Sequence, residues 1–80
     1  MSPADLRAVV LRVLGEIAPE ADLASLRGDA DLREALDIDS YDFLRFATRL
    51  HDELGIAVPE DRMSGLATLE GSVALLGELQ

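Results

Sequence analysis

Ser40 and His51 are the residue types here that could support nucleophilic catalysis, and sixteen acidic side chains could orient an imidazole. Periodicity puts both on one helix, eleven positions apart, which is about 16 Å along its axis. A serine and its general base must lie within hydrogen-bond reach. The pair therefore makes no triad, and His51 is expected to face solvent or a partner. Asp29, Asp31, Asp37, Asp39 and Asp42 have the oxygen-rich composition that divalent cations favour. Calcium loops, however, alternate their ligands around a central glycine and close on a glutamate. This run does neither, so no dedicated metal site is expected. The glycines are scattered singly, which leaves no loop to cradle a nucleotide phosphate. Cysteine is absent, excluding disulfides and thiolate zinc sites. Three or four short helices rarely enclose an acid–base pair in a pocket, so no catalytic residues are expected and the chain reads as a non-enzyme.

What remains is Ser40 and its surroundings. Serine is common in the first turn of a helix, and alone it would carry no further meaning. On a helix starting at Asp39, residues 40, 44, 48 and 51 share one side, with Tyr41 beside it. Tyr41 and Leu44 fall off the apolar stripe of that helix. This side is therefore expected to expose apolar surface next to a terminal serine, as a contact patch would. The other reading packs Leu44 beneath the preceding loop.

The elements that position this face can be read along the chain. Ser2 can cap a first helix with Pro3 at its first position and Asp5 three after the cap. Leu6, Val9, Val10, Val13, Leu14 and Ile17 then recur at helical spacing until Pro19. Residues 18–39, "APEADLASLRGDADLREALDID", are irregular, and connections of this length are often functional. Leu23, Leu26, Leu32, Leu36 and Ile38 should anchor this loop to the core, with one short helical turn around 31–36. A second helix is expected from Ser40 to Leu54, with Asp39 as N-cap and Asp42 completing a capping-box-like pair. Its inward stripe would be Phe43, Phe46, Ala47, Leu50 and Leu54, and Gly55 would end it. "GIAVPEDRMSGL" predicts an extended segment and one brief helical turn at 60–64. A last helix should follow Thr68, with Leu69, Val73, Leu76 and Leu79 facing inward, weakened by Gly71 and Gly77.

Eighty residues suit one domain spanning 1–80. Apolar content of 49% is too high for disorder, and the dominance of leucine and alanine over β-branched residues points to an all-α bundle. The expected architecture is three main helices plus one short helix, with a long loop between the first two. Seven arginines, no lysine and sixteen acids give a net charge of −9. That balance argues against nucleic acid, which demands a positive surface, and favours partners with basic patches. There is neither a signal-peptide pattern nor an apolar run of the roughly 20 residues that cross a bilayer. The expectation is a soluble, cytoplasmic monomer without membrane insertion.

The run "LDIDSYDFLRFATRLHDELGIAVPED", residues 36–61, resembles the acyl carrier proteins of the phosphopantetheine-binding family, whose signature reads L-G-x-D-S-L. The order of elements, the Gly-Ile-x-Val-Pro segment and the Thr-Leu start of the last helix extend the resemblance over nearly the whole chain. It implies a covalent 4′-phosphopantetheine on Ser40, preceded by Asp39 and transferred from coenzyme A by a phosphopantetheinyl transferase. It also implies acyl groups held as thioesters and presented to acyl-transferring or acyl-modifying enzymes of fatty-acid, lipid or secondary-metabolite biosynthesis. Partner recognition would then fall to Tyr41, Leu44, Arg45, Thr48 and Arg49. Three features, over four positions, depart from the family pattern. Asp37 stands where the signature has glycine, and Tyr41 where it has leucine. Arg45 and Arg49 stand where fatty-acid carriers present acids. A specialised pathway accommodates these departures. The alternative to a carrier is an acidic helical interaction module that lacks a prosthetic group and uses the same face.

Overall fold

The first apolar stripe forms α1, Pro3–Ile17, in a computed structural model that describes all of residues 1–80. Ser2 caps it, its Oγ accepting the Asp5 N–H at 3.1 Å. Three further helices follow: α2 (Leu32–Ala35), α3 (Ser40–Leu54) and α4 (Leu69–Leu79). Two 3₁₀ segments join them, Leu23–Ser25 in the long loop and Glu60–Ala67 before α4. There is no strand. The brief turn expected at 60–64 therefore runs on to Ala67, and the loop holds a 3₁₀ turn as well as its helical one.

α1 packs on both α3 and α4, and the Glu60–Ala67 segment lies against α4. Leu6, Val10, Val13 and Leu14 of α1 meet Phe46 and Leu50 of α3 and Leu69, Leu75 and Leu76 of α4 in one core. Leu32 and Ile38 are buried in the same cluster, with Leu23, Leu26 and Leu36 packed against it. The long loop is thus tied down, as its anchors predict. Phe43 and Phe46 meet at 6.0 Å between ring centres and 53° between planes, a tilted geometry suited to aromatic quadrupoles.

The inward face of α4 differs from expectation. Leu69 and Leu76 are buried, but Ser72 and Leu75 join them, while Val73 and Leu79 are only half-buried. The polar Ser72 disguised the stripe; its Oγ donates to the Leu66 carbonyl at 3.2 Å, which removes the cost of burying it. Gly71 has a packing role that offsets its poor helix propensity. A Cβ there would come within 2.5 Å of the Gly65 carbonyl oxygen, so the close approach of the 3₁₀ segment to α4 requires a bare backbone.

Candidate functional site

The turn between α2 and α3 delivers Ser40. Asp31 starts α2, its Oδ1 accepting the N–H groups of Arg33 (3.0 Å) and Glu34 (3.2 Å). The helix closes in a Schellman arrangement, with Ile38 N–H donating to the Arg33 carbonyl and Asp37 N–H to that of Glu34. This closure needs a left-handed residue, and Asp37 supplies it with φ 53°. The glycine of the family signature is thus replaced by a residue type that tolerates this region better than most. Ile38 then plunges into the core, and the next residue turns back out.

Asp39 is the N-cap of α3, accepting the Asp42 N–H on Oδ1 at 2.8 Å. The reciprocal half of the predicted box does not form, because the Asp42 carboxylate takes Arg45 Nη1 at 3.2 Å instead. The N–H groups of Ser40 and Tyr41 find no acceptor in the chain. They form the open, electropositive end of a 15-residue helix. Ser40 is exposed on its first position. Its Oγ accepts a hydrogen bond from Arg33 Nη2 at 2.8 Å. Sequence reasoning did not single out Arg33; its spacing of seven from Ser40 crosses a turn whose geometry no local pattern specifies.

One side of Ser40 carries apolar surface. Tyr41 and Leu44 are 70% and 59% exposed, and only Met1 joins them as an exposed large hydrophobic. Leu44 therefore does not pack beneath the loop. A groove of about 640 Å³ opens directly beside Ser40, lined by Phe43, Leu44, Ala47, Val58 and Met63. Its continuation along α3 reaches the exposed Thr48 and His51. His51 Nδ1 lies 3.2 Å from the Ile56 carbonyl, away from Ser40.

The two arginines of α3 have different surroundings. Arg45 makes one ion pair, with Asp42, and its side chain is half exposed. Arg49 lies one turn further along the helix, bound to Glu53 at 2.7 Å and to Glu16 of α1 at 3.1 Å. Glu53 also accepts Arg12 Nη2 at 3.0 Å, so four charges tie α1 to α3. The Arg12 and Arg49 hydrogen bonds hold the Glu53 carboxyl down from the ordinary 4.5 to about 2. The acids flagged as calcium-like, Asp29, Asp31, Asp37, Asp39 and Asp42, do not converge; no three acidic or histidine side chains come close enough to hold a metal ion.

An exposed serine heading a helix, held by an anchored turn and flanked by an apolar patch and groove, is thus the candidate site. The model of the family described as "Phosphopantetheine attachment site" matches residues 4–76. A relative from Streptomyces avermitilis, polyketide-8 synthase acyl carrier protein 2, is 35% identical over 71 residues, which span 89% of this chain and 76% of the relative. The chain belongs to the phosphopantetheine-binding acyl carrier family. Members carry acyl intermediates as thioesters on phosphopantetheine and are not themselves enzymes, which decides between the two functions left open by the residues alone. No helix is long and apolar enough to cross a membrane.

Proposed function

We propose that Ser40 Oγ is the attachment point of the phosphopantetheine arm, and that the loaded carrier serves polyketide-type chain assembly in the cytoplasm as a single monomeric domain. The exposed Ser40 hydroxyl, beside the unpaired N–H groups of α3, carries this reading. A phosphate ester there is favoured by the positive helix end. The apolar groove beside Ser40 fits a long flexible arm and its cargo. The arm's terminal thiol supplies the thioester bond; the chain's own residues attach it, orient it and present it. The pathway rests on the similarity to the polyketide carrier.

Tyr41 and Leu44 supply the apolar contact with partner enzymes, Thr48 extends it, and Asp39 shapes the helix start that the transferase must recognise. Arg45 is the adjacent cation that selects partners by charge. Arg49 acts with it at longer range, because its guanidinium is engaged by Glu16 and Glu53. Reversing a charge at the rim of an interface mainly changes association rate. Arg45→Glu is therefore expected to slow acyl transfer with polyketide-type acyltransferases or ketosynthases at least roughly threefold, with an unchanged helical circular-dichroism spectrum. Unchanged kinetics with every such partner would sink the assignment of Arg45.

A further inference from the structure

Five of the seven arginines form ion pairs: Arg12, Arg27, Arg45, Arg49 and Arg62. Arg33 does not, in a chain with sixteen acids. Glu34 and Asp37, close to it in sequence, form no ion pair with it, and three other nearby carboxylates are otherwise engaged. Asp31 caps α2, Asp39 caps α3 and Asp42 holds Arg45. The side chain of Arg33 makes a single hydrogen bond, to the neutral Ser40 hydroxyl at 2.8 Å. Its backbone is fixed on both sides, the N–H by Asp31 and the carbonyl by Ile38. A guanidinium is a planar fork suited to two oxygens of one anion, and a hydroxyl uses little of it. The open N–H groups of Ser40 and Tyr41 lie at the same helix end.

We propose that Arg33 is the phosphate-holding residue of the attachment site, its guanidinium pairing with the phosphodiester that joins the arm to Ser40 and so fixing the root of the arm on the surface. This rests on Ser40 being the attachment point. A phosphodiester there adds one negative charge to a chain of net charge −9, and Arg33, bonded to the Ser40 hydroxyl, is a cation in reach to neutralise it. The hydrogen bond from Arg33 to the Ser40 hydroxyl places the guanidinium beside the oxygen that such a phosphate would esterify. Arg33 takes no part in bond making; it positions the group.

The test loads wild type, Arg33→Gln, Arg33→Lys and Arg7→Gln with coenzyme A and a promiscuous phosphopantetheinyl transferase. Loading is verified by intact mass and fold by circular dichroism. The readout is the ³¹P resonance of the attached phosphodiester in each loaded protein. Arg7 is the control, an exposed arginine of α1 that likewise forms no ion pair. The expected result is a displaced resonance in Arg33→Gln, a partly restored one in Arg33→Lys, which keeps the charge without the fork, and a wild-type position in Arg7→Gln. The same resonance in wild type and Arg33→Gln, both loaded and folded, would overturn the role of Arg33 while leaving Ser40 as the attachment point. A folded wild type that takes up no phosphopantetheine would overturn the attachment reading, and this proposal with it.

Discussion

Asp37 and Ser40 show how much a single position can carry. Asp37 holds φ 53° because the Schellman closure of α2 demands it, and that closure sets where Ser40 emerges. Asparagine shares aspartate's tolerance of this region, whereas a β-branched side chain clashes with its own backbone there. Asp37→Asn is expected to leave stability within about 0.5 kcal/mol, and Asp37→Val to cost about 1–2 kcal/mol; chemical denaturation of both variants measures this. A loss as large for asparagine as for valine would mean that the carboxylate, not the backbone, matters. The sequence alone flagged Asp37 as a departure from glycine, but its backbone conformation becomes visible only with the turn around it. Arg33 was hidden for a related reason, since its partner lies across that turn and both residues are common surface types.

At the scale of elements, α1 and α3 are joined by packing and by charge. Glu53 receives hydrogen bonds from Arg12 and Arg49, and Arg49 also reaches Glu16. Glu53 is thereby depressed from 4.5 to about 2. A carboxyl depressed in the folded state binds fewer protons there than in the unfolded chain. Its contribution is complete above the ordinary value and fades as pH falls through the folded one. Comparing wild type with Glu53→Gln by denaturation at a series of pH values, the stability difference should shrink as pH falls from 4.5 towards 2. A difference that does not vary across that range would contradict the clamp. Local pairing of Arg49 with Glu53 was legible from their i,i+4 spacing. The reach to Glu16 was not, because it depends on how two helices cross. In the same way the caps at Ser2 and Asp39 and the stripes of α1 and α3 could be read directly. The buried Ser72 of α4 could not, since a satisfied polar residue leaves no hydropathy signal.

The whole molecule is a small acidic bundle, 29 × 25 × 20 Å, with the start of α3 exposed at its surface. Its net charge of −9 sets the class of surface it approaches. Against that background, the cations near that helix start, Arg33 and Arg45, are the exceptions that individualise it. The order of elements and the Asp-Ser motif were enough to read the bundle and its carrier class from the chain, because each helix start carries its own cap and each stripe its own period. The groove beside Ser40 was beyond such reading, as it arises where Val58 and Met63 of the connecting segment meet α3.

Attachment at Ser40 is most directly tested by intact mass of the chain before and after incubation with coenzyme A and a phosphopantetheinyl transferase, with Ser40→Ala alongside. The account predicts a gain of one phosphopantetheine in wild type and none in Ser40→Ala. No gain in a folded wild type that started without the arm, tried with several transferases, would contradict it, as would an equal gain in Ser40→Ala.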